Sequence, residues 1–134
     1  MDEVVGVAFD YEGDPLPPQA PKPPLGTANC LYDASGMPAP GLMTLPAHSG
    51  SLATLPLSIL SDGPWCGDGD DIFDADLLRI RRVSVAVRLQ VGNEMMRGRG
   101  TDFAITGKGA TAAQLVPDYA VRFDVSPRNM GWGR

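Results

Sequence analysis

The stretch Val83–Val91, VSVAVRLQV, decides the fold class. Along an extended chain Val83, Val85, Val87, Leu89 and Val91 point one way, and Ser84, Ala86, Arg88 and Gln90 point the other. A period of two carried by β-branched residues predicts a strand with one packed face and one wet face, the habit of an antiparallel sheet. Two further stretches repeat the pattern. In Val4–Glu12, VVGVAFDYE, the residues Val5, Val7, Phe9 and Tyr11 alternate with Gly6, Ala8, Asp10 and Glu12. In Val116–Val125, VPDYAVRFDV, the residues Tyr119, Val121, Phe123 and Val125 alternate with Ala120, Arg122 and Asp124. The Gly-rich connection 92–118 carries no crossover helix, so this last strand is expected beside Val83–Val91 and antiparallel to it.

Working outward, the rest of the chain is irregular. Its 16 Gly and 13 Pro exceed a fifth of 134 residues. Residues 15–26, PLPPQAPKPPLG, favour extended polyproline II; the PxxP spacing suits an SH3-type ligand, but a stiff surface connector is the simpler reading. Residues 27–64 show no sustained periodicity. Residues 62–76, DGPWCGDGDDIFDAD, form an acidic turn region in which Asp74 or Asp76 is placed to cap one helical turn. The expectation is one mostly β domain over 1–134, an antiparallel sheet with long Gly/Pro-rich loops and at most short helical turns.

Cys30 and Cys66 are the only cysteines, and one histidine is too few to complete a zinc site with them. They are free thiols or one disulfide. An even count in a loop-rich chain favours the disulfide, and with it an oxidising compartment. Such a bond would clamp both ends of the irregular 27–64 segment. Trp65, next to Cys66, is expected to pack on it.

Charge is uneven. Residues 1–76 carry a net −11 and residues 77–134 a net +6. Either the two halves face each other within one fold, or the domain is dipolar and stacks on copies or relatives through complementary charge. On the second reading Arg79, Arg81 and Arg82 are the interface cations. No nucleic-acid reader motif accompanies the arginines, which argues against that partner class. No apolar run approaches a bilayer span, and Asp2 and Glu3 stand where a signal peptide would be basic.

Motifs for chemistry are sparse. Asp68, Asp70, Asp71, Asp74 and Asp76 form the densest set of oxygen donors, which suits calcium. The EF-hand spacing is not met, since Ile72 falls where a ligand belongs, and the plainer reading is a solvated acidic turn. His48 lacks a nucleophile-elbow context, and Gly107–Ala113, GKGATAA, lacks the P-loop spacing. The expectation is a protein that is not an enzyme and needs no cofactor, calcium being the one candidate.

The segments DGPWC, FDADLLRIRRVSVAVRLQV and VPDYAVRFDVSPRNMGWGR, with the opening VVGVAFDYEGDPLPP, resemble the globular domain of PilW-like minor pilins, prepilin-type proteins of type IV pili related to type II secretion pseudopilins. The resemblance covers Val4–Gly13 and Asp62–Arg134, and the middle only loosely. It implies an α+β pilin-like headgroup in the periplasm or on a cell-surface filament. The headgroup would be an assembly subunit that binds other pilin-like subunits. Membrane attachment would come only through an apolar N-terminal helix, which these residues lack along with the leader and processing site. The alternative is a secreted β-sandwich that binds a carbohydrate or an adhesion ligand.

Overall fold

The computed structural model describes residues 2–47 and 51–127. It is mostly β, with antiparallel sheets and only single 3-10 turns for helix. The strands are β1 (Asp2–Gly13), β2 (Ala53–Thr54), β3 (Trp65–Cys66), β4 (Phe73–Asp74), β5 (Ile80–Val91) and β6 (Tyr119–Val125). The three long ones are those that alternation predicts. Strand order in the larger sheet is β2-β1-β5-β6, and β3 and β4 form a separate hairpin. The two-residue strands are too short for any periodicity to announce.

The chain divides into two compact units, Met1–Phe9 with Ser84–Asp124, and Asp10–Val83 with Val125–Arg134. The boundaries fall inside β1, β5 and β6.

The second unit holds two apolar clusters. Leu31, Tyr32, Ala39, Leu42, Cys66 and Ala75 are buried together, with Ala20, Cys30, Phe73 and Leu78 packed on them. Leu55, Leu60 and Ile80 form the other, joined by Tyr11, Leu45, Leu77 and Val83. The proline-rich segment has no regular structure and is pinned to the first cluster, where the Tyr32 hydroxyl donates to the Ala20 carbonyl at 3.1 Å. Near the second cluster β1 ends at Gly13, where nothing larger fits. A Cβ there would fall on the Arg79 carbonyl and 2.7 Å from Leu55 Cδ1. The next residue, Asp14, donates its backbone N–H to that same carbonyl at 3.0 Å.

Asp74 builds the turn that leads into β5. Its Oδ1 accepts from the Asp76 N–H at 2.8 Å, an N-cap for the 3-10 turn Ala75–Arg79, and its Oδ2 accepts from the Gly63 N–H at 2.6 Å. One buried carboxylate thus satisfies two backbone donors, one of them 11 residues away, as a cap must where water is excluded.

Cys30 and Cys66 are bonded, with their Cα atoms 5.2 Å apart and a sequence separation of 36. The bond sits in the first cluster. Trp65 does not pack on it: β3 alternates, Cys66 turns inward, and Trp65 is left 57 % exposed. Because the loop closed is long, losing the bond is expected to cost roughly 3–4 kcal/mol. Thiol titration of the unfolded, unreduced chain should find no free thiol. Urea unfolding of the Cys30→Ser, Cys66→Ser double variant should show the lower stability.

Candidate interaction surface

In the first unit β1, β5 and β6 lie side by side, and side-chain contacts define which residues share a face. A Cβ at Gly6 would stand 3.6 Å from Arg88 Cβ, and the Ser84 hydroxyl donates to Asp124 at 2.7 Å. Even-numbered positions of the three strands therefore look to one side. Alternation sends Val7, Phe9, Val85, Val87, Val121 and Phe123 to the other.

The even-numbered face is covered at one end. Gln90 is fully buried there, and Arg97, which is bonded to it, is buried too. Gln90 Nε2 donates to Asp118 Oδ1 at 2.8 Å and to the Ile105 carbonyl at 3.1 Å, while its Oε1 accepts from Arg97 Nη1 at 2.9 Å. Asp118 also accepts from Arg88 Nε at 2.8 Å and from the Ala104 N–H at 2.7 Å. Burial raises the pKa of Asp118, but the bonds from Ala104, Gln90 and Arg88 outweigh it, and the carboxyl is held below its ordinary range. This network ties the Gly-rich segment 92–118 to the sheet.

The odd-numbered face is apolar and open. Val7 is 52 % exposed, Phe9 53 %, Val121 44 % and Phe123 49 %, while Val85 and Val87 on the central strand are half-buried. This departs from the expectation of one packed and one wet face. The valine face predicted as core is only partly covered in this unit, and Gln90, on the predicted wet face, is fully buried. A contiguous apolar sheet face ordinarily lies against a second layer or a partner.

The other predicted site residues do not converge. Among the described residues no three His, Cys, Asp or Glu side chains gather where they could hold a metal ion. The calcium reading is corrected accordingly. Asp74 and Asp76 turn inward, one as a backbone acceptor and the other as an ion partner, and Asp68, Asp70 and Asp71 stay exposed on the turn. His48 lies outside the described residues.

Arg79 is also corrected as an interface cation. It is buried at 1 % exposure, its Nε 2.8 Å from Asp76 Oδ1 and its Nη2 donating to the Met43 carbonyl at 2.7 Å. Arg81 and Arg82 are half-exposed and pair within the same unit, with Asp14 at 2.6 Å and Glu12 at 2.7 Å. Part of the charge asymmetry is thus met inside one unit, since basic residues of the second half face acidic residues of the first. Among the described residues no helix is long and apolar enough to cross a membrane. The apolar face was visible as alternation, but alternation alone does not report whether anything covers it.

The buried pair has a pH consequence. Asp76 is pushed up to about 6, chiefly by burial; Arg79 pulls it down, and Asp74 and Asp62 add to the rise. A carboxyl whose folded pKa exceeds its unfolded one contributes stability that is full below about pH 4 and is lost as pH rises through about 6. Urea-unfolding stability is therefore expected to fall as pH rises from about 4.5 to about 7.5 and Asp76 ionises. Asp76→Asn should flatten that slope, whatever it does to stability at one pH.

No protein-family model, curated protein or solved structure matches this chain.

Proposed function

We propose that this chain is the headgroup of an assembly subunit of a type IV pilus or type II secretion pseudopilus, and that it binds neighbouring pilin-like subunits rather than catalysing a reaction. The observation that carries the reading is the partly exposed apolar face formed by Val7, Phe9, Val85, Val87, Val121 and Phe123. Three strands about 4.8 Å apart and some five residues of about 3.3 Å rise give a footprint of roughly 14 by 17 Å. That is small beside the roughly 800 Å² per partner of a stable dimer. It suits one apolar helix, about 10 Å across and three turns long. Prepilin-type subunits carry such a helix, which is where the sequence resemblance and the surface agree. A periplasmic or cell-surface location belongs to the same proposal, and the disulfide fits an oxidising compartment.

The charge-driven form of the reading gives way to an apolar one, because Arg79 is buried and Arg81 and Arg82 already face Asp14 and Glu12. The chain should bind a pilin-like subunit encoded beside it, provided that subunit retains its apolar helix, and the affinity should change little with salt. Val7→Asp and Phe9→Asp should each weaken binding about tenfold or more while shifting folding stability by no more than about 0.5 kcal/mol, as exposed substitutions do. If no pilin-like subunit binds and a glycan array gives a specific hit, the secreted adhesion module replaces this reading.

A further inference from the structure

We propose that residues 15–26 are a docking ribbon, held extended by the fold, for a protein domain whose groove is lined with aromatic rings and reads polyproline II. This rests on a different segment from the apolar sheet face, and neither proposal needs the other. The exposure of the segment repeats every third residue. Pro17, Ala20 and Pro23 are half-buried, Ala20 against the first apolar cluster. Leu16, Gln19, Lys22 and Leu25 are all exposed, Leu25 at 90 %. A polyproline II helix has three residues per turn, so its cross-section is a triangle. One edge of that triangle lies on the body and a second faces solvent throughout. The third, which carries the PxxP prolines, is exposed at Pro21 and Pro24.

The ribbon is fixed along its length. The Pro15 carbonyl accepts from the Leu45 N–H at 2.8 Å, and the Pro24 carbonyl accepts from the Thr27 N–H at 3.0 Å. Between them the Ala20 carbonyl accepts from the Tyr32 hydroxyl at 3.1 Å, and Lys22 Nζ stands 5.5 Å from the centre of the Tyr32 ring. Both ends belong to the second unit, so the segment is not a spacer between two bodies. A partner would meet it already straight, without the entropy loss of ordering a free proline-rich chain.

The chemistry of the exposed edges selects the partner. Pro21 and Pro24 stand one turn apart, about 9 Å, with Lys22 and Leu25 beside them on the neighbouring edge. Flat aromatic walls pack on such proline ridges, and ring O–H or N–H donors between them reach backbone carbonyls. The carbonyls of Pro18 and Pro21 have no hydrogen-bond partner among the described residues. A β-strand partner is poorly served, because proline has no N–H to donate to a ladder.

The probe is a set of purified SH3 and WW domains, each titrated with the intact chain in a calorimeter. At least one is expected to bind with a dissociation constant in the roughly micromolar range. The Pro21→Ala, Pro24→Ala double variant should weaken that binding about tenfold, and Val7→Asp should leave it unchanged. A free peptide of residues 15–26 should bind the same domain several-fold more weakly than the chain, because it must be straightened on binding. The proposal is overturned if no domain binds, or if the double variant binds as the wild type does. A peptide that binds as tightly as the chain, or more tightly, overturns it too, because the fold would then add nothing. Should circular dichroism show that the double variant does not fold, Leu25→Asp decides, and unchanged binding rejects the contact.

Discussion

The guanidinium of Arg79 is buried at 1 % exposure, and the second unit is arranged around it. An unpaired charge in that setting would cost several kcal/mol, so its surroundings must answer it. Asp76, three residues earlier, supplies the counter-charge, and the Met43 carbonyl accepts a hydrogen bond from the far end of the fork. The backbone of the same residue receives the Asp14 N–H and leaves no room for a side chain at Gly13. The 3-10 turn that places Asp76 and Arg79 on one side is itself held by the Asp74 cap. One residue therefore draws together the end of β1, the loop around Met43 and the start of β5. The disulfide adds a covalent tie to the neighbouring apolar cluster, where Cys66 is buried.

The first unit is organised on the opposite principle. Most of its buried side chains are polar, and much of its apolar strand surface is exposed. Gln90, Arg97 and Asp118 satisfy one another and the backbone of Ala104 and Ile105, which holds a long glycine-rich segment that has few apolar side chains of its own to bury. The valines and phenylalanines of the three strands are left for something else. Exposing them costs hydrophobic free energy on the order of 25 cal/mol per Å² relative to burying them. A surface arranged in this way is understood more readily as half of an interface than as the outside of a self-sufficient fold.

The same strands show what could be read locally. The presence of β1, β5 and β6, their antiparallel order, a cap at Asp74 or Asp76 and the pairing of Cys30 with Cys66 were legible, because each depends on neighbours in sequence or on simple counting. Alternation is a property of a few consecutive residues, and capping of three. The two-residue strands β2, β3 and β4 were not legible, because a bridge that short exists only where another part of the chain holds it in place. The five aspartates read as one cluster, yet the turn sends Asp74 and Asp76 inward and leaves the others outside.

What the sequence determined by itself was that the long strands each have an apolar side and a polar side, that one pair of cysteines is available, and that charge is split between the halves. Only the tertiary structure decided which side is covered, which arginine is buried and which charges are already answered. The physical reason is that burial is a property of what lies across from a residue, not of the residue. Gln90 is fully buried and Phe123 is half exposed, because Arg97 and the Ile105 backbone close over the one and the other is left partly open.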